Sequence, residues 1–548
     1  MTVTPQGNIY LCKTVLENDY KNQLDFSSAA NQLTYFNSTI QSTVSETNYT
    51  YIKKDSSVNV GVNIDSIITC NYLFYKNTGF TTKYYFCFIT NMEYVNENCT
   101  RVTFETDCYQ TWLFDIIYKN SFIEREHVNS DYYNSNLVPE NLDTGEYITY
   151  SQTSSQIGEG TPCIAATYDI FNNTPAGSII NGVFQGVDYY VFDEVTGIEN
   201  NIKTFLQKYA SASKSDAITS IFMIPKTMIN YSSITWDTIP DTTGKYKKLT
   251  GGTTPFTFSN VEVAMDLTKI HNITPKNKKL LTYPYRYYMI SNNNGANVIY
   301  REEFFNNTNP QLTIFKIYGD ITPGCSIKLI PQNYKNVTEN IEEGVNAGKF
   351  PICSWNTDVY TNWLTQNGVN IGLSVLSGVG QIAAGTGIAL ASGGLGTAVG
   401  GGQIVGGISQ ITSVMADIYN HSLIPPQAEG NTNNGDVTYS IGKNEFTIYE
   451  MGITDEYINR IDNYFSMFGY KVNRVGLPNV TGRTNWNYIK TIDINLEGNI
   501  PQTDLNIIKA MFNRGVTIWH NSSTFLDYSQ NNDIIEEEEE TEGGVVNE

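Results

Sequence analysis

Histidines, thiols and paired acids are the side chains with which proteins most often do covalent or metal chemistry, and here they are sparse and scattered. The four histidines stand at positions 127, 271, 421 and 520, with no HExxH pair and no Cys/His cluster of the kind that would converge on zinc. None of the eight cysteines forms a CxxC pair: Cys99 and Cys108 lie nine apart, while Cys12, Cys70, Cys87, Cys163, Cys325 and Cys353 are dispersed, so buried free thiols are expected. Neither the phosphate-cradling GxxxxGK(S/T) loop nor the GxSxG nucleophile elbow occurs. Carboxylates are plentiful, and a glycosidase needs only two of them across a cleft. The charged cluster Glu124-Arg125-Glu126-His127 combines both charges with apolar Phe122 and Ile123 and reads as a packing or interface junction. No enzymatic activity, cofactor or metal is expected from these residues.

The elements that must position such residues follow from composition. The 548 residues are 40% hydrophobic, 16% charged and 13% aromatic, with 38 Tyr, 25 Phe and 61 Asn. Average soluble domains have about 25% charged residues. Enough apolar surface exists for large cores, and Asn and Tyr disfavour helix interiors, so a β-rich chain of several domains is predicted. The net charge of −21 excludes a DNA binder that grips phosphates with clustered Lys and Arg. Eight negative charges fall in the last 16 residues, and removing them leaves −13 on the other 532. The run Glu536–Glu540 reads as a solvated, disordered tail. The first residues lack the basic and apolar regions of a signal peptide, so Asn-x-Ser/Thr triplets such as those at Asn37 and Asn98 carry no meaning for glycosylation.

Along the chain, residues 1–130 read as strands and turns. Val102, Phe104, Thr106 and Cys108 alternate with polar residues at the period of a half-buried strand, and residues 81–90 have the length of one more. The run Gln110–Asp115 continues the apolar surface without a readable period. Residues 131–350 read as one or two inserted β-rich outer domains, with a helix over Ile202–Ala212 ahead of the apolar run Ile218–Ile224. Residues 436–531 resume an α+β pattern, with helices over Asn459–Met467 and Leu505–Asn513 and a last strand over Gly515–His520.

The segment 351–435 differs from all of this. From residue 359 to 416 there are 58 consecutive residues without Asp, Glu, Lys or Arg. At 16% charge, chance makes such a gap at about 1 in 20,000 per starting point. Its heart divides around Ser392-Gly-Gly394 into stretches of 21 and 22 residues, each long enough as a helix to cross the roughly 30 Å of a bilayer's hydrocarbon core. The apolar residues are Ile371, Leu373, Val375, Leu376, Val379, Ile382, Ile388 and Leu390 in the first half. In the second they are Leu395, Val399, Ile404, Val405, Ile408, Ile411, Val414 and Met415. Many recur at three- and four-residue steps. Gly378, Gly380, Gly385, Gly402 and Gly406 would let helices approach closely, yet 14 glycines between Gly368 and Gly407 each cost about 1 kcal/mol of helix propensity. A marginal helical hairpin and a Gly-rich loop packed inside a multimer fit equally well. An ordinary membrane anchor would contain less glycine.

Several blocks resemble the tail knob, or distal tail tube, family of small short-tailed bacteriophages of Gram-positive hosts. They are Asn18-Asp19-Tyr20-Lys21-Asn22; Gln110-Thr-Trp112-Leu-Phe114-Asp115-Ile116; Ser121-Phe-Ile-Glu124-Arg125-Glu126-His127-Val128; Ile424-Pro425-Pro426-Gln427; Gly469-Tyr-Lys-Val-Asn473-Arg474-Val475 with Pro478-Asn479; and Gly515-Val-Thr-Ile-Trp519-His520. The blocks stand in the family's order and flank the same uncharged insert. The resemblance implies a six-fold ring in the virion tail, with a β-barrel tube wall built jointly from the N-terminal and C-terminal segments, while the scattered free thiols fit synthesis in the host cytoplasm. It implies that the apolar loops plug the lumen and later form a pore in the host cell membrane. The partners implied are copies of the chain itself, the proximal tail tube, a tail tip or cell-wall hydrolase, that membrane, and viral DNA passing without sequence-specific contact. Rival readings make the loop only a plug or assembly contact, or the protein a wall hydrolase. The Glu-rich C-terminus, residues 532–548, has no counterpart in the family pattern.

Overall fold

The structure is a computed structural model that describes residues 7–46, 56–77, 82–157, 160–180, 183–192, 198–226, 229–230, 234–238, 245–249, 259–264, 266–306, 312–319, 327–347, 352–354 and 445–535. The apolar and glycine positions named between 371 and 415, Pro425, Pro426 and the Glu536–Glu540 run lie outside the described residues. The chain divides into two compact units: Met1–Gly145 with Asn272–Leu281 and Asp455–Glu548, and Glu146–His271 with Thr282–Thr454.

The first unit contains two main sheets. One has six strands in the order Ile40–Glu46, Gly7–Cys12, Tyr72–Asn77, Tyr84–Asn96, Cys99–Thr106, Ser57–Val60, with every pairing antiparallel. The expected alternation is visible in Val102 and Phe104, both buried, but the strand stops at Thr106. Asp107 then caps a helix, Cys108–Trp112, its carboxylate accepting the Gln110 N–H at 3.1 Å. The run without a readable period is thus a short helix followed by a 3-10 turn over Leu113–Asp115. A second helix, Ala29–Ser38, was not expected among the strands and turns. Its Asn, Thr, Tyr and Phe are weak helix formers, and tertiary packing overrides them. Phe36 is fully buried, stacked on Tyr72 at 5.2 Å.

The other sheet interleaves the chain's two ends in the order Asn22–Leu24, Val516–Trp519, Trp486–Asp493, Ser121–Glu126, Tyr470–Gly476. Only Asn22–Leu24 and Val516–Trp519 run parallel. Helices Asp455–Phe468 and Gln502–Arg514 correspond to the two short helices expected there. One apolar cluster joins Leu24, Phe36, Tyr72 and Phe86 to Trp486, Ile508, Phe512 and Trp519. A second cluster, with Ile9, Leu11, Leu73, Tyr75, Val58, Val60 and Val102, draws on alternating strand positions, so the middle strand Tyr72–Asn77 is buried on both faces.

The second unit contains a six-stranded sheet (Ile234–Thr238, Lys245–Leu249, Asp188–Val191, Gly160–Ala166, Ile218–Pro225, Ile352–Ser354) and a four-stranded sheet (Tyr147–Gln156, Glu445–Ile453, Arg286–Ser291, Asn297–Tyr300). A third sheet is built on Leu312–Gly319 and Ile327–Tyr334. The helix expected from Ile202 runs over Ile198–Ser211 and buries Phe205, Leu206 and Tyr209. Elsewhere in this unit Lys248 Nζ lies 2.5 Å from Asp169 and 2.9 Å from Asp188, and buried Arg286 lies 2.7 Å from buried Glu302. The chain is mainly β with α+β parts, as composition indicated.

Candidate functional site

The charged cluster Glu124–His127 sits at the centre of the first unit because the Ser121–Glu126 strand lies between Trp486–Asp493 and Tyr470–Gly476. Glu126 is fully buried and accepts hydrogen bonds from Arg474 Nε at 2.7 Å and the Asn479 N–H at 3.0 Å. Burial raises its pKa against the opposing pull of these donors. Arg125 donates to the Gly469 carbonyl at 2.7 Å, pairs with Glu140, and lies over the Tyr464 ring. Glu140 also holds Lys279 Nζ at 2.6 Å and the Lys471 N–H at 2.8 Å. Glu124 makes a half-exposed pair with Lys490 at 2.8 Å.

His127 is inaccessible as a base. Its Nδ1 accepts the Tyr488 N–H at 2.8 Å, and Nε2 lies 3.1 Å from the Ser466 carbonyl, which fixes the neutral tautomer with the proton on Nε2. Burial, helped by the charges of Arg483 and Arg125, holds its pKa down at about 3. Between that value and the ordinary 6.5, the unfolded chain binds a proton that the native chain refuses. His127 therefore contributes stability that is complete above about pH 6.5 and is lost on acidification by about 1.4 kcal/mol per pH unit. In urea titrations, the stability difference between the native chain and a His127→Gln variant should shift by about 2 kcal/mol from pH 7 to pH 5. A pH-independent difference would show that His127 is not held neutral.

Beside this junction lies a polar cavity of about 260 Å³, lined by His127, Asp131, Asn277, Arg483, Trp486 and residues 530–534. Asp131 accepts the Tyr470 hydroxyl and the Lys278 N–H, both at 2.9 Å. The cavity contains no nucleophile paired with a free base. Among the described residues no group of His, Cys, Asp and Glu is arranged to hold a metal ion.

The other positions singled out in the sequence are placed as follows. Trp519 Nε1 donates to Asn22 at 3.1 Å, and His520 contacts Asn487 at 3.0 Å and Asp25 at 3.7 Å. Trp112 Nε1 donates to Asp504 at 2.8 Å, with the Lys83 ammonium over its ring and paired to Asp115. The Tyr20 hydroxyl accepts the Cys108 N–H at 3.0 Å. Asp19 and Lys21 form a surface pair, and Phe114 is exposed. Asn473 takes a positive φ of 44° where the Tyr470–Gly476 strand shifts register before Arg474.

Reading the sequence missed the partners supplied from 272–281. Asp462 accepts the N–H groups of Lys276 and Asn277 and the Asn277 side chain at 2.8–3.0 Å, and Lys279 enters the Arg125–Glu140 pair. No local pattern marks that decapeptide, because it contributes single side chains to a distant site.

Comparison with known proteins follows this architecture. Residues 7–119 match the family described as "Caudoviral major tail protein N-terminus". Residues 245–533 match "Bacillus phage phi29, Tail knob protein gp9, C-terminal domain". The tail knob protein gp9 of Bacillus phage B103 is 24% identical, the match covering 94% of this chain and 96% of that protein. That of Bacillus phage phi29 is 23% identical over 96% and 98%. The fold is similar to the tail knob protein gp12 of bacteriophage C1, with a TM-score of 0.62 at 14% identity, covering 96% of this chain and all of that one. Since the tail knob match alone spans 289 of the 548 residues, the chain belongs to the phi29 tail knob family, structural proteins of the phage tail.

Proposed function

We propose that copies of this chain form a ring, hexameric as the family resemblance implies, at the distal end of a short phage tail. In this reading the ring conducts DNA, the 359–416 segments close its lumen before infection, and they then enter the host cell membrane as a pore. The observation that carries the membrane step is the 58-residue uncharged segment in an otherwise polar chain. The tail knob match runs from 245 to 533 and so brackets it on both sides.

Physical chemistry supports storage followed by release. Apolar surface of that extent is stable only where water is excluded, and neighbouring copies around a channel can exclude it. Transfer to lipid keeps the Ile, Leu and Val side chains out of water at about 25 cal/mol per Å². The net charge of −21 leaves few cations to hold a passing phosphate backbone. The other ring partners in this reading are the proximal tube and a tip or wall hydrolase. Among the described residues no helix is long and apolar enough to cross a membrane, so the step rests on the 359–416 segment alone.

The assay is dye release from liposomes under conditions that trigger ejection. The full chain should release dye, and deletion of residues 359–416 should reduce release to the background of empty liposomes. Undiminished leakage after the deletion would remove the membrane step. Loss of the ring itself in the deleted chain would instead make the segment an assembly contact, a reading its 14 glycines favour.

A further inference from the structure

An uncharged hairpin stands at one end of the six-stranded sheet of the second unit. Its ladder has two rungs, Ile179 opposite Phe184 and Ile180 opposite Val183. Side chains on one rung share a face and successive residues alternate, so Ile179 and Phe184 occupy one side and Val183 the other. Ile179 is 55% exposed, Phe184 67% and Val183 58%. The Phe184 ring rests on Gly177, where a Cβ would overlap it. Residues 170–187 contain no charged side chain, and the aspartates that flank them, Asp169 and Asp188, are both paired with Lys248. The base of the hairpin is fixed. Asp188 Oδ1 accepts the Gly177 N–H and the Ser178 hydroxyl, each at 3.2 Å. The Ser178 N–H donates to the Val187 carbonyl and the Ser178 carbonyl accepts the Gln185 N–H, both at 2.9 Å.

The pairing of the sheet places this hairpin near the start of the uncharged 359–416 segment. Ser354, Ser220, Ala165 and Tyr189 form one row across four adjacent strands. Three successive antiparallel pairings make Ile352–Ser354 run opposite to Asp188–Val191, so the first leaves the sheet at the end where the second enters. Three strand spacings of about 4.8 Å put Ser354 about 14 Å from Tyr189. The uncharged segment starts five residues after Ser354, and the hairpin ladder ends at Phe184, four residues before Asp188.

We propose that the tip of this hairpin is a lipid-binding element, which enters the headgroup boundary of the host membrane beside the root of the 359–416 segment. The proposal rests on the membrane step of the preceding subsection and adds a second, preformed contact to it. Apolar side chains exposed on both faces suit a fluid that closes around them, whereas a folded partner covers one face with a complementary surface. Two rungs at about 3.4 Å per residue make a tip of about 7 Å, within the roughly 5–10 Å to which interfacial segments enter a bilayer. Hydrated headgroups at that depth satisfy the open edges of a two-rung ladder, which the hydrocarbon core would not. No charge between 170 and 187 has to be desolvated. Since the base is already ordered, the contact precedes release of the segment.

The test places an indole at the tip of the full chain, Phe184→Trp, and reads the emission of the variant minus that of the native chain. The vesicles are phosphatidylcholine with phosphatidylglycerol, and a second set carries acyl chains brominated near the headgroup. Without any trigger for ejection, the added emission should move to shorter wavelength with plain vesicles and be quenched by brominated ones. The double variant Val183→Asp, Phe184→Asp should keep the native circular dichroism and need roughly tenfold more lipid for half-maximal binding in vesicle sedimentation. Unquenched emission while triggered dye release proceeds overturns the hairpin contact and leaves the membrane step standing. Quenching in a chain that never releases dye upholds the contact and removes the pore. A shift to shorter wavelength on self-assembly without vesicles assigns the hairpin to a neighbouring copy, and one that needs other tail proteins assigns it to them; either overturns the proposal. Neither quenching nor release overturns both readings.

Discussion

Gly469→Ala is expected to destabilise the first unit by more than about 4 kcal/mol. Gly469 has φ +64° in the turn between the Asp455–Phe468 helix and the Tyr470–Gly476 strand. The left-handed conformation accounts for about 1–2 kcal/mol of penalty with any side chain. The larger part is steric, because a Cβ there would overlap the Glu126 carbonyl and the His127 nitrogen, both main-chain atoms. Neither can retreat, since His127 donates its N–H to the Tyr488 carbonyl and Gly469 receives Arg125 through its own carbonyl. Gly295 supplies the control: its φ is +87°, but nothing lies within 4 Å of the added Cβ, so Gly295→Ala should lose only about 1–2 kcal/mol. Urea unfolding of both variants separates the two terms. Equal losses would show that the close approach to Glu126 is absent.

Trp519→Ala should destabilise the same unit by about 3–5 kcal/mol. The side chain is fully buried, with ring centroids of Trp486 and Tyr528 each 5.0 Å away and that of Phe525 at 5.6 Å. Trp519 also fastens the start of the chain to its end. Its indole N–H reaches Asn22, its carbonyl accepts the Asp25 N–H at 2.8 Å, and Leu24 pairs beside it in the parallel ladder. Trp519→Phe retains much of the packing and loses the donor, so about 1–2 kcal/mol should separate it from the native chain. Amide exchange at Leu24 and Asp25 should accelerate in the alanine variant well before the Tyr72–Asn77 strand is affected. Simultaneous acceleration of both would show that the N-terminal strand has no separate opening.

These effects fall where reading the sequence had mixed success. The alternation of Val102 with Phe104 showed a strand because one face is buried and its neighbours decide nothing else. The helices Asp455–Phe468 and Gln502–Arg514 were legible because their apolar positions recur along one side: Ile458, Ile461 and Phe465 in the first, Leu505, Ile508 and Phe512 in the second. Ala29–Ser38 was hidden because what holds it is Phe36 inserted among Tyr72, Phe74 and Phe86, residues more than 30 positions away. The buried junction was half legible. Glu124–His127 stood out as opposite charges beside apolar residues, but Glu140, Lys279 and Asp462 looked like any other surface charges.

By itself the sequence determined the β-rich character, the absence of local catalytic and phosphate-binding motifs, the uncharged 359–416 stretch and the blocks that resemble the tail knob family, since each depends on composition or short-range order. Only the tertiary structure decided that Asn22 meets Trp519, that Arg474 neutralises Glu126, and that residues 272–281 complete the unit built by the two ends. Such contacts join positions hundreds of residues apart. They arise when a buried charge or hydrogen-bonding group must find a partner inside the core, a demand that short-range patterning does not record.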